Sequence, residues 1–238
     1  MNTKAQEIAK EIIRTSKPSM LTAGLIYTLL GIVITWLSLR LTGVEMDTLS
    51  RMMELSAAGN AEAAMSLAAR AMPSAAESLL DVLLRLALSV VGAGFVLFTL
   101  NSVRKTEPVL GNLLDGFGMM PRLLILIVLR TILVGLWSMM LVVPGIVAAY
   151  RYSLAVYVMI DHPEYGAIEC LRESSRITRG YKLQLFLLDL SFLLWGLLCL
   201  LPVVGYAVQV WVTPYIEAAK ALYYEQIRLE RPEDISEL

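Results

Sequence analysis

The sequence predicts an all-α integral membrane protein: a helical bundle of about six transmembrane helices, arranged as three hairpins, each preceded by a cytoplasmic amphipathic helix at the membrane interface. Three observations carry this. Of 238 residues, 57% are hydrophobic and 17% charged, against about 45–50% and about 25% in typical soluble domains. Mean hydropathy is +0.66, and the apolar residues gather in runs close to the ~17–25 residues that cross a bilayer core. Lysine and arginine also fall unevenly between the loops that alternate along the chain.

The elements follow in order. Residues 2–17 carry Ile8, Ile12 and Ile13 on one helical face, among Lys4, Lys10, Arg14 and Lys17. That pattern suits an interfacial helix, although a solvated basic tether has the same composition; Pro18 ends it. Residues 19–39 form the first span. Residues 40–73 are polar and rich in Ala and Met, with Leu49, Met52, Met53, Met65, Ala68 and Met72 at helical spacing. They read as two short amphipathic helices broken at Gly59-Asn60 and ended before Pro73. The adaptable methionines suit either a partner surface or packing against the protein's own bundle. Ser74-Ala75-Ala76-Glu77 is a capping-box pattern that opens the second span, 77–100. Within it, Asp81 and Arg85 lie four apart and form a second intramembrane pair.

Residues 106–120 predict a short interfacial helix with Val109, Leu110, Leu113, Leu114 and Phe117 on its apolar side. The third span is 122–142, and Pro144-Gly145 turns the chain into a short, polar fourth span, 145–160, which is either spanning or re-entrant. Asp161 is placed to cap an amphipathic cytoplasmic helix over 163–179, with Gly180 at its end. In this stretch Arg172, Arg176, Arg179 and Lys182 are candidates for binding anionic lipid headgroups; the interspersed Glu164, Glu169 and Glu173 make a plain solvated face the alternative. The fifth span is 183–201, the sixth 203–223, and 224–238 form a charged tail.

Charge orients this arrangement. Lys4, Lys10, Arg14, Lys17, Arg104, Lys105, Arg122, Arg172, Arg176, Arg179, Lys182, Arg228 and Arg231 fall on one side, and only Arg40, Arg51 and Arg70 on the other. Positive residues in short loops mark the cytoplasmic side. Both termini are therefore expected inside, in a bacterial-type plasma membrane, with 40–73 external. A shift of 58 residues lays Leu136-Trp137 on Leu194-Trp195, Pro144 on Pro202, Ala149 on Ala207 and Tyr157 on Tyr215. This supports a repeated hairpin unit, against the background likeness of any two apolar stretches.

Charges within apolar segments are costly and need partners. Counting depth at ~1.5 Å per residue puts Arg130, Arg151, Asp189 and Glu217 at similar levels. They are expected to form one polar network, joined by Tyr150, Tyr152 and Gln209. Such a network either fixes helix register or serves a function, lining a polar path or binding an anionic headgroup.

Other chemistry is limited. The net charge of -1 argues against nucleic acid. One histidine, His162, leaves no His cluster for a metal, and no cofactor is expected. Cys170 and Cys199 read as free thiols, since one sits in a charged helix and the other in an apolar run. No zinc-protease, hydrolase-elbow or phosphate-loop motif occurs. The first apolar run is long for a signal peptide and lacks a small-residue cleavage site. The expected role is non-enzymatic: organising membrane or serving as an accessory subunit, in contact with the bilayer, anionic lipids and further copies of the chain. The alternative is a transporter or channel for a small solute, ion or lipid.

Several segments resemble the integral-membrane family known as domain of unknown function 975. They are Pro144-Gly145, Tyr150-Arg151-Tyr152-Ser153, the helix from Ala167 to Ser174, Gly180 to Lys182, Leu188 to Phe192, and Thr213 to Tyr224. The likeness covers about 120–224, and 45–73 looks like a variable insertion. More distantly, the pattern resembles the membrane domain attached to some glycerophosphodiester phosphodiesterases. The resemblance implies a multi-pass fold and brings no catalytic residues.

Overall fold

A computed structural model describes residues 19–41, 46–192 and 204–230. The readings of 2–17, of the second half of the fifth span, of most of the second repeat hairpin's turn, and of the tail beyond 230 lie outside these residues. The described residues are helical, with no strand among them. Helices α1 (Met20–Leu41), α2 (Met46–Ala57), α3 (Ala61–Arg70) and α4 (Ala75–Val103) come first. Next are a single turn, α5 (Asn112–Asp115), a 3₁₀ turn (Gly116–Met119) and α6 (Met120–Met140). Helices α7 (Val142–Arg151), α8 (Ala155–Asp161), α9 (Ala167–Ile177), α10 (Lys182–Ser191) and α11 (Val204–Glu230) complete the described elements.

Among the described residues, four stretches are long and apolar enough to cross a membrane: Met20–Leu41, Ala75–Val103, Asn112–Met140 and Val142–Asp161. The chain divides into two compact units, the larger comprising Met1–Thr28 and Val90–Leu238. The smaller unit is Leu29–Ser89.

In the smaller unit, Gly59 adopts φ +75° between α2 and α3, a conformation that costs glycine little. Asn60 then caps α3 by accepting from the Ala63 N–H at 3.2 Å. Met53, Met65 and Met72 are exposed there. The expected capping box is present. Glu77 accepts from the Ser74 N–H at 2.7 Å, and Ser74 Oγ accepts from the Glu77 N–H at 3.2 Å.

In the larger unit, the α5 turn and the 3₁₀ turn fold back along α4 at two glycines. A Cβ on Gly94 would run into the Leu113 carbonyl, and one on Gly116 into the Val90 carbonyl. Leu113 and Gly116 are buried by this approach, while Val109, Leu110, Leu114 and Phe117 are exposed. The predicted interfacial helix over 106–120 is thus one α turn and one 3₁₀ turn running on into α6. Two apolar clusters fill this unit. Phe95, Phe98, Met20, Ala23 and Ala218 form one, with Tyr27 stacked on Phe95 at 5.2 Å between ring centroids. Leu100, Leu123, Leu126, Leu154, Tyr157, Leu171 and Ile227 anchor the other.

Three local readings are corrected. The hairpin between α6 and α7 turns at Leu141, whose backbone is extended (φ −164°, ψ 150°). Pro144 and Gly145 lie inside the first turn of α7, where a missing proline N–H costs nothing. The expected fourth span is interrupted at 152–154, a turn between α7 and α8. Helix α9 starts at Ala167 rather than near Pro163. Its first turn is closed by the Glu169 carboxylate accepting from the Gly166 N–H at 2.6 Å, not by Asp161.

Candidate functional site

Among the described residues of the larger unit, three polar clusters are the main candidates. The first is at the C-terminal end of α4. Arg104 donates to both oxygens of Asp161 at 2.8 and 2.7 Å, and through Nε to Glu225 at 2.6 Å. Tyr224 donates to Asp161 at 2.9 Å, and Arg228 stands 3.6 Å from Asp161 and 3.7 Å from Glu225. Asp161 is buried, and its carboxylate holds the Arg104 guanidinium charged, raising its pKa. This fork ties the ends of α4, α8 and α11 together. Sequence reasoning missed it, because Arg104 counts only as a loop charge and Asp161 as a cap. Two charge-assisted bonds to a planar fork outweigh one N-cap bond worth ~1 kcal/mol.

The second place is the break at 152–154. The Arg151 carbonyl, at the end of α7, has lost its helical partner. Ser174 of α9 donates to it at 3.0 Å, and the hydroxyl of Thr178, just past the end of α9, lies 3.3 Å from it while bonding the Ser174 carbonyl at 2.7 Å. The Arg151 side chain bonds Ser175 through Nε, and its guanidinium carbon lies 5.8 Å from the ring centre of buried Tyr152. The Tyr150–Ser153 run and the Ser174 region are therefore in direct contact. Cys170 is fully buried on the same helix, and that burial pushes its thiol pKa up to about 11.

The third place is a cavity of about 420 Å³ lined by Arg130 of α6, Tyr150 and Ser153, Asp189 of α10 and Lys220 of α11, among apolar Ile146, Leu185 and Phe186. Tyr150 donates to one Asp189 oxygen at 3.0 Å. Lys220 stands 3.5 Å from the other. Arg130 has no hydrogen bond or ion pair to the described residues. The residues expected to form one network are thus distributed. Tyr150, Asp189 and Arg130 share this cavity with Lys220, while Arg151 bonds α9. Glu217 accepts from buried Tyr157 at 3.0 Å, and Gln209 is exposed, its carbonyl accepting from Thr213 at 2.7 Å. Depth counting could not separate these, because it fixes height along a helix but not the direction in which a side chain leaves it.

The remaining candidates lie elsewhere. Asp81 and Arg85 pair at 2.8 Å in the smaller unit. On α9, Arg176 holds Glu173 with two bonds of 2.9 and 3.0 Å. Arg172 and Arg179 are exposed, and Lys182 is half-buried. No group of His, Cys, Asp and Glu suited to a metal ion occurs among the described residues.

Long apolar helices, joined by charge clusters at their ends, define a polytopic helical membrane protein. Residues 138–231 match the model of the family described as "Protein of unknown function (DUF975)". That match is in keeping with the segments that resemble the family. A UPF0259 membrane protein of Sodalis glossinidius (strain morsitans) is 38% identical over 93 residues, 37% of this chain and 36% of the relative. The chain thus spans little more than a third of that curated relative's length. No solved structure matches. The distant likeness to glycerophosphodiesterase membrane domains gains no support from these matches.

Proposed function

We propose that this protein is a non-enzymatic membrane-organising or accessory protein that works by contact with lipid and with further copies of itself. In this reading it lies in a bacterial plasma membrane as six spans in three hairpins, with both termini cytoplasmic and 40–73 outside. The excess of Lys and Arg on one set of loops supports that orientation.

The observation that carries the reading is the segment 109–120. It is seated on α4 by the two glycine contacts, yet turns Val109, Leu110, Leu114 and Phe117 outward. An apolar face held rigidly beside a span acts as a wedge among lipid headgroups. The test is electron cryomicroscopy of vesicles reconstituted with the full chain, with the double variant Leu114→Ser, Phe117→Ser beside it. Wild type is expected to narrow or tubulate vesicles and the variant to leave them spherical. Wild-type protein that leaves vesicle shape unchanged and stays monomeric in detergent overturns the proposal.

One observation favours a second reading, a transporter or channel: the cavity around Arg130, Asp189 and Lys220. Ion and solute flux from loaded vesicles, abolished by Asp189→Asn, is the result that reading requires.

A further inference from the structure

The cavity lined by Arg130, Asp189 and Lys220 holds two cations against one anion. Asp189 cannot serve both cations well, because each of its oxygens already faces a partner, Tyr150 on one and Lys220 on the other. Arg130 sits eight residues into α6 from Arg122, ~12 Å along the helix, in a part of the chain built to face lipid. An arginine left without a counter-charge at such depth is strongly disfavoured. One further negative charge in the cavity would make it neutral.

The surroundings narrow what carries that charge. The cavity, about 420 Å³, is in the range of ligand sites. Its apolar wall includes Ile146 and Phe186, which are exposed, and Leu187 and Leu190 continue an exposed apolar surface along α10. A ligand there has a polar end among the charges and an apolar body along α10. The guanidinium fork of Arg130 matches paired non-bridging phosphate oxygens. Lys220 lies five residues, ~7.5 Å, along α11 from Glu225, which belongs to the ion cluster closing one end of the unit. The cavity therefore lies ~7.5–12 Å in from that end of the helices, within reach of a lipid phosphate drawn below the headgroup level.

We infer that this cavity binds the phosphate of an anionic phospholipid, with Arg130 and Lys220 as its cationic contacts and the acyl chains lying along α10. The inference rests on the lipid-contacting reading above and names the lipid class. A zwitterionic lipid brings a third cation into a cavity that already has an excess of them, so phosphatidylglycerol is expected to displace phosphatidylcholine.

The experiment uses the full chain in detergent, incubated with equal amounts of phosphatidylglycerol and phosphatidylcholine, and reads retained lipid by native mass spectrometry and stability by thermal unfolding. Wild type is expected to retain phosphatidylglycerol about tenfold over phosphatidylcholine, the discrimination that follows from holding the choline cation beside Arg130 and Lys220, and to melt higher in its presence. Arg130→Gln should abolish both effects, Arg130→Lys should keep part of them, and exposed Arg70→Gln should keep them fully. Equal retention of the two lipids by wild type overturns the inference, whether or not the variants fold. So does unchanged selectivity in Arg130→Gln. Protection by inorganic phosphate alone, as strong as by phosphatidylglycerol, overturns the lipid as the source of the phosphate. Vesicle remodelling in pure phosphatidylcholine does not depend on this cavity, so failure here leaves the wedge reading standing, and failure of remodelling leaves the lipid site standing.

Discussion

Replacing Arg104 by Met should destabilise the larger unit more than any other single charge removal in it. Arg104 supplies both bonds of the fork to Asp161, at 2.7 and 2.8 Å, and the 2.6 Å bond to Glu225. Asp161 is then left with Tyr224 at 2.9 Å and with Arg228 no closer than 3.6 Å. The side chain of Asp161 is 7% exposed and that of Arg104 25%, so the acid has little water to turn to. Three bonds to charged groups, at ~1.5–3 kcal/mol each, set the gross loss. Arg228 can move inward, and Arg104 is partly wet, so the net cost falls to about 3 kcal/mol, the lower end for breaking a buried pair. At ~2–4 °C per kcal/mol for a chain of this size, that is about 6–12 °C in Tm. The assay is thermal unfolding in detergent, followed by a thiol-reactive dye on buried Cys170 in a Cys199→Ser background. Arg104→Lys keeps the charge without the fork and should fall between. Asp161→Asn added to Arg104→Met should recover part of the loss, because it removes the orphaned charge. A Tm within ~2 °C of wild type for Arg104→Met, or a double variant less stable than the single one, would refute the reasoning.

Three further outcomes are expected. Gly116→Ala places a Cβ on the Val90 carbonyl and should cost ~1–3 kcal/mol by overpacking, whereas Gly118→Ala meets open space and should not lower the Tm. Cys170, its thiol raised to about 11 by burial and by nearby Glu169, should resist maleimide at pH 8 until the protein unfolds. Because the folded value lies above the unfolded one, its contribution to stability is whole below the ordinary thiol pKa and is lost as pH rises through about 11; a thiol labelled rapidly in the native state at pH 8 contradicts this. Tyr157→Phe deprives Glu217 of its donor and should lower Tm by ~1–3 kcal/mol equivalent, while Glu217→Gln keeps an acceptor and removes a charge, and should be neutral or stabilising in the same melt. The reverse order would show that Tyr157 is not what supports Glu217.

What could be read from the sequence follows the physics of single segments. Apolar runs set the long helices, Gly59 broke α2 from α3, and the reciprocal bonds of Ser74 and Glu77 depend on four consecutive residues. Each of these is decided locally. Pairing between segments is not. Arg151 and Asp189 lie at compatible depths by residue count, but the helix carrying Arg151 stops there, and the turn over 152–154 gives its carbonyl to Ser174 and Thr178 and its guanidinium to Ser175. Asp161 looked like a cap because a cap is the nearest use for an aspartate before a helix. Its partner, Arg104, lies 57 residues away just past the end of α4, a separation no periodicity reveals.

The contrast between the polar clusters then bears on which of them acts. The Arg104 cluster sets two cations against two anions, with Arg104 bonded directly to both acids and Arg228 within 3.7 Å of each, and the Arg151 cluster uses hydroxyls to complete a broken helix end. Both are explained by the fold they hold together. The Arg130 cavity is different: it carries a net positive charge, it has volume, and its charges do not all meet. A purely structural ion pair gains nothing from an extra cation beside it, since desolvating that cation costs free energy that no bond within the chain returns. The extra cation is therefore the feature that folding alone does not account for, and a bound anion is the simplest group that does.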